Sequence, residues 1–402
     1  MKKVAVFMTV GTGMREDRKK GMKDQAHGIS YFINEIKPDK IVFFVSKESK
    51  ETINYVEGIN ENDYEIVLLN DINNITEISR EIFNKVLEYE KMGYEIKMNY
   101  TFGTKTMTTA ISFISVLKKK DLYLVGGQRG KDGTPVPGTE EVKKQSLHVI
   151  YDIFLLDKVK ELFNSYNFSE ALNSLNNIVI FDNLQTGHSR EDYENLIKGY
   201  TEWDKFNHKE AIKYLENNSL IPKQQGYRIK RLIYLADKDA KEEIKEYHAH
   251  LLSDLINNAK RRIEEGKYDD AVARLYRVIE FIAQSKLFIK HDINTSDVDI
   301  LLLPGELQEK YKKMEENGKI RLGLKKSYEL LRDMNEEIGK RFFENEEIQK
   351  ILSMRNNSIL AHGFGPVTKE QAEKFFEITK EFLTTEIKET EQFMEELKFI
   401  KL

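Results

Sequence analysis

Cysteine is missing from this sequence altogether, which excludes disulfides, thiolate metal sites and a cysteine nucleophile. Proline is scarce, with 6 in 402 residues, so helices can run long without interruption. No apolar run reaches the roughly 18 residues of a membrane-crossing helix, and none is expected. Neither charge dominates: 63 Lys and Arg face 67 Asp and Glu, a net of −4. Chains that coat nucleic acid are usually basic, so any RNA contact has to be local and in a cleft. The 8 histidines are scattered. His248 and His250, two positions apart, point about 200° apart on a helix and are badly placed to share a metal. Asp254, Asp269 and Asp270 fit helix starts and capping better than chelation, so no metal site is expected. Lys2 and Lys3 followed by the apolar residues 4–10 faintly mimic a signal peptide. The run breaks at Gly11 and Gly13 without a cleavage pattern, and reads as a first β-strand of a cytoplasmic protein.

What is present is an ordinary apolar share, 40 %, in a chain long enough for two or three domains. Over residues 1–155 the pattern alternates. Continuous apolar runs at 2–10, 41–45, 64–69, 95–101 and 122–126 read as buried parallel strands. Between them lie helical spacings at 25–36, from 48, at 75–92 and at 104–119. This rhythm predicts a Rossmann-like α/β domain. A hairpin is expected after the last core strand, with 145–154 as its return strand.

Ligands of such sheets sit at the carboxyl ends of the strands. Two loops fall there. The first is Thr9-Val10-Gly11-Thr12-Gly13, which is no dinucleotide fingerprint because Met14-Arg15-Glu16 follows where a third glycine is needed. The second, Asn99-Tyr100-Thr101-Phe102-Gly103-Thr104-Lys105-Thr106-Met107, joins a strand to a helix, so backbone amides and the helix dipole can meet a phosphate. Thr101, Thr104 and Thr106 add hydroxyls and Lys105 a charge, without the spacing of a Walker A loop. Gln128 and Arg129, entering the hairpin, are further candidates for ligand contact, equally readable as solvated side chains.

Residues 156–243 read as a helical connector. Tyr166-Asn167-Phe168-Ser169-Glu170-Ala171 and Phe206-Asn207-His208-Lys209-Glu210-Ala211 look like two related helix joints, too few for a repeat array. Residues 244–402 read as a helical bundle. Near its end, Arg355 and His362 stand seven apart, about 700° around a helix, so they share one face with Ser358 between them. An imidazole with a reference pKa of about 6.5 can take a proton from a ribose 2′-hydroxyl, and a guanidinium can stabilise charge building on a phosphate. The same pair can equally serve a helix dipole and a surface carboxylate.

Arg355-Asn356 followed by Ser358 to His362 and Gly363 resembles the R-x(4–6)-H signature of HEPN ribonuclease domains. The run from Glu264 to Tyr276 resembles the same group. The loop from Thr101 to Met107 resembles the T-G-G-T-K-x-M pattern of CARF sensor domains, with Phe102 in place of the first glycine. Together the chain resembles the CARF–HEPN accessory ribonucleases of type III CRISPR defence. That resemblance implies a cytoplasmic homodimer with three parts: a sensor over 1–155, a connector over 156–243 and a ribonuclease over 244–402. It implies no cofactor, and an activator that is a cyclic oligoadenylate, read here as cyclic tetra-adenylate with cyclic hexa-adenylate as the alternative. The sensor contacts would be Thr9, Gly11, Thr12, Gly13, Asn99 and the residues from Thr101 to Met107, with Gln128 and Arg129. The cutting site would use Arg355, His362, Asn356 and Ser358 from both copies on single-stranded RNA, leaving a 2′,3′-cyclic phosphate and a 5′-hydroxyl. The rival is a non-catalytic nucleotide-sensing regulator or toxin–antitoxin partner whose bundle only binds. No basic helix-turn-helix module is visible, so stable DNA binding is not expected.

Overall fold

The computed structural model describes residues 2–13, 15–128, 136, 138–145, 148–356 and 365–402. They form two compact units, residues 1–155 with 177–184, and residues 156–176 with 185–402.

The first unit holds β1 (Val4–Thr9), α1 (Arg18–Ile36), β2 (Lys40–Val45), β3 (Tyr64–Leu68) and α2 (Ile75–Lys91). It continues through β4 (Glu95–Asn99), α3 (Lys105–Leu117), β5 (Asp121–Gly126) and β6 (Glu141–Gln145) into α4 (His148–Asn164), where the chain passes to the second unit. The sheet order is β3-β2-β1-β4-β5-β6. All neighbours are parallel except β5 and β6. The apolar runs follow from covering both faces. Ala5 and Phe7 point to one side, with Phe44, Met98, Ile82 and Ile111. Val6 and Met8 point to the other, with Phe43, Ile29 and Phe32. Fully burying side chains of this size contributes about 1.5–3 kcal/mol each, which fixes the register of the central strands.

Three expectations are corrected. Residues 145–154 are not a return strand: that strand is β6, and α4 begins at His148. A continuous apolar run has no visible period, and here the buried positions Asp152, Leu155, Leu156 and Val159 recur at helical spacing. The first helix starts well before residue 25, at Arg18, because Asp17 accepts a hydrogen bond from the Lys20 N–H at 3.1 Å and caps it. The stretch from 48 is a short 3-10 turn, Ser49–Tyr55.

The second unit continues with α5 (Phe168–Asn176), α6 (Arg190–Asp204), α7 (His208–Leu215), α8 (Lys223–Leu235), α9 (Lys241–Glu264) and α10 (Tyr268–His291). Then come α11 (Gly305–Lys312), α12 (Leu324–Asp333), α13 (Glu337–Glu344), α14 (Glu346–Asn356), α15 (Lys369–Glu386) and α16 (Glu389–Glu396). α10 packs against α9, α12 and α15, and also touches α14. α9 and α10 pack together, and Leu252, Ile256 and Ala259 of the one and Val272, Leu275 and Ile279 of the other are buried at the spacing of a single helix face. Thr368 and Gln371 form a capping box that opens α15. None of the described helices is long and apolar enough to cross a membrane.

Candidate functional site

β1 is where the sheet changes direction. From it the chain runs outward through β2 and β3, then returns to its other side with β4 and β5. Loops leaving the carboxyl ends of β1 and β4 therefore diverge and leave a crevice between them. A cavity of about 480 Å³ lies there. Its walls include Gly11, Thr12 and Gly13 after β1, Ser46 and Ser49 after β2, Ile72 after β3, and Thr104 and Met107 at the start of α3.

Glycines let the two loops meet. A Cβ on Gly11 would lie 3.1 Å from the Gly103 Cα, and one on Gly13, whose φ is +80°, would lie 2.5 Å from the Gly21 carbonyl oxygen. Thr9 ties the loops from below, its hydroxyl donating to the Phe102 carbonyl. Thr104 caps α3, its hydroxyl accepting from the Met107 N–H at 3.3 Å, so the N-terminus of that helix opens toward the cavity.

The proposed contacts divide into groups. Gly11, Thr12, Gly13, Thr104 and Met107 line the cavity, while Thr9, Phe102 and Gly103 build the junction beneath it. Asn99 and Thr101 brace the strands: Asn99 is fully buried and accepts from the Thr101 N–H at 2.8 Å, and the Thr101 hydroxyl accepts from the Val125 N–H at 2.7 Å. Lys105, exposed, and Thr106, half-buried, occupy the first turn of α3 without lining the cavity. Gln128 lies in the β5–β6 connection, its N–H donating to the Thr139 hydroxyl at 2.9 Å. Arg129 lies outside the described residues.

Sequence reading passed over the charges of this cavity. Arg15, Glu16, Arg18 and Glu48 also line it. The Ser46 side chain, the backbone N–H of Glu48 itself and the nearby charge of Arg18 hold the Glu48 carboxyl below its usual value. Arg15 pairs with Asp24 of α1. The signal was available: Arg15 and Arg18 directly follow the glycine loop, and Ser46 directly follows the strand beside β1.

The second candidate site lies in the helical unit. Ile348, Ile351 and Leu352 form the buried stripe of α14. Arg355 extends that stripe by one turn, so it faces inward toward α10. Its guanidinium lies 4.2 Å over the ring of Tyr276. Burial, with Glu280 nearby, pushes the Tyr276 hydroxyl above its ordinary pKa, against the opposing charge of Arg355. Asn356 closes α14, its side chain outside the described residues, as are Ser358 and His362. The acidic residues set aside as ligands are each engaged elsewhere. Asp254 is buried against the Trp203 indole N–H at 2.9 Å and the His208 ring at 2.7 Å. Asp269 accepts from the Val367 N–H at 3.2 Å, and Asp270 pairs with Arg274.

Residues 240–386 match the Csm6 HEPN domain, and residues 151–242 match the Csm6 6H domain. Together the two matches span more than half of the chain. The chain belongs to the Csm6 family of CARF–HEPN proteins. It is thus an accessory protein of type III CRISPR systems, with an α/β sensor fold followed by helices and a C-terminal HEPN domain. Enterococcus italicus Csm6 bound to cyclic hexa-2′-fluoro-hexa-dAMP has a similar fold, with a TM-score of 0.61, at 15 % identity over 99 % of both chains. No curated protein matches the chain.

Proposed function

We propose that this protein is a metal-independent endoribonuclease for single-stranded RNA, switched on by a cyclic oligoadenylate and working as a cytoplasmic homodimer. The observation that carries the reading is the position of Arg355 and His362. The pair falls inside the residues matched to the HEPN domain, and Arg355 faces the interior of that unit from the last turn of α14. In the reaction, His362 takes the proton of a ribose 2′-hydroxyl, whose oxygen attacks the adjacent phosphorus. Arg355 stabilises the charge gathering on the phosphate oxygens. The bond to the 5′-oxygen breaks and that oxygen takes up a proton, delivered by water while the His362 imidazolium returns its own to solvent, giving a 2′,3′-cyclic phosphate and a 5′-hydroxyl. Asn356 and Ser358 offer hydrogen bonds to the same phosphate.

The sensor is placed in residues 1–155, the connector in 156–243 and the nuclease in 244–402. The cavity at the sheet's switch point supports the sensor reading, since it joins a helix N-terminus, hydroxyls and the cations Arg15 and Arg18. An exposed apolar set on α3 and α4, namely Phe113, Leu117, Ile150, Ile153 and Phe154, supports a second copy covering it. A two-fold axis favours a ring with an even number of nucleotides, shared between the copies. Cyclic tetra-adenylate is the first expectation and cyclic hexa-adenylate the second.

The test is incubation of the protein with end-labelled single-stranded RNA in EDTA, with and without each ring. The expected result is ring-dependent cutting that survives chelation and disappears in Arg355→Ala and His362→Ala. Cutting that requires an added divalent ion, or that persists in both variants, overturns the assignment.

A further inference from the structure

Two contacts on one face of α10 bracket the stretch from Arg355 to Val367. At its start, Arg355 lies with its guanidinium 4.2 Å over the Tyr276 ring. At its end, the Val367 N–H donates to the Asp269 carboxylate at 3.2 Å. Asp269 and Tyr276 are seven residues apart in a continuous helix. That is about 700° of rotation and roughly 10 Å of rise, so both side chains leave the same stripe.

We infer that Tyr276 and Asp269 are positioning residues of the RNA-cutting site, with α10 acting as the template that sets the placement of Arg355 and of the backbone at Val367. The inference rests on the assignment of Arg355 to cutting. An aromatic face suits a phosphate-binding guanidinium for a physical reason. It attracts the cation through its plane and so fixes where the planar group lies and which way its N–H edge points. Asp269 is likewise more than a first-turn charge complementing the helix dipole. One of its oxygens serves an amide 98 positions away, and the other is buried with no partner among the described residues. Such a carboxylate holds a backbone segment to the helix by a charge-assisted hydrogen bond.

The experiment measures kcat and KM of the full-length protein on labelled single-stranded RNA, at saturating concentration of whichever ring raises the wild-type rate most. Tyr276→Leu is expected to lower kcat about tenfold, with KM within about twofold, because the contact acts through the geometry of Arg355. Tyr276→Phe keeps the ring face and stays within about threefold of wild type. Asp269→Ala lowers kcat in the same sense, and Asp269→Asn, which retains an acceptor, recovers most of it. In an Arg355→Lys background, which keeps charge but loses the planar group, Tyr276→Leu costs less than about twofold more. Should Tyr276→Leu fail to fold, Tyr276→Met takes its place in the cycle. If Tyr276→Leu cuts at the wild-type rate while Arg355→Ala is inactive, the inference fails and the nuclease assignment stands. If Tyr276→Leu gives the same loss in both backgrounds, its role is plain packing and the inference fails. If Arg355→Ala itself cuts normally, both fall.

Discussion

Single side chains in this protein are set by what surrounds them more than by their type. His248 and His250 share α9 and lie two positions apart, yet each has its own neighbours. The His248 ring packs beside Phe281 with its Nδ1 3.0 Å from the Ser285 hydroxyl, and His250 stacks on Phe393 at 4.0 Å. Burial pushes the His248 imidazole down to about 4 and lowers His250 as well. The consequence has a definite sign. Below a reference value of about 6.5 the unfolded chain binds protons that the folded His248 refuses, so stability is lost as pH falls from about 6.5 toward 4. Discounted for its partial exposure, the effect is on the order of 2 kcal/mol. Denaturant unfolding between pH 4.5 and 7 is therefore expected to show a rising stability that His248→Gln flattens. An unchanged slope in that variant contradicts the assignment.

The secondary elements show how far the sequence could be read. Strand order and the two crevice loops follow from apolar runs and glycines, because both faces of the sheet are covered and the loops approach backbone to backbone. The helix joints were half legible. Tyr166 and Phe206 each take a left-handed φ of 62°, and Gly266 repeats the turn at 75° before Lys267 and Tyr268, a third joint whose glycine hides the likeness. What stayed hidden depends on contacts distant in sequence. No local pattern tells that Arg355 meets Tyr276, or that Asp269 meets the Val367 amide. Phe102 is the most instructive case, standing where the CARF loop pattern has glycine. Its ring is buried in the cluster beside α1, and a Cβ on Gly28 would lie 2.9 Å from its Cε1. The loop thus keeps a bulky residue because the helix beneath it gives up a side chain. Gly28→Ala is expected to destabilise by about 1–3 kcal/mol through overpacking, despite the better helix propensity of alanine. Adding Phe102→Leu should recover much of that loss. Chemical denaturation of the two variants checks it, and additive losses in the double variant count against the contact.

At the scale of the whole molecule, the proposed function sets ring binding in a cavity at the switch point of an α/β sheet and cutting in a HEPN domain. Under the proposed function, ring binding lies in the first unit and cutting in the second, so single substitutions should separate them. Removing a sensor cation by Arg18→Ala, or the cap of α3 by Thr104→Ala, should weaken the ring without touching the nuclease residues. The decisive measurement is the RNA cleavage rate titrated against ring concentration for wild type, Thr104→Ala and Arg355→Ala, with ring binding followed by calorimetry on the same samples. If the proposed function holds, wild type shows a saturating rate, Thr104→Ala a midpoint moved to higher concentration with the same plateau, and Arg355→Ala no cutting despite an unchanged ring affinity. A plateau for Arg355→Ala equal to wild type, or a wild-type rate that ignores ring concentration, contradicts it.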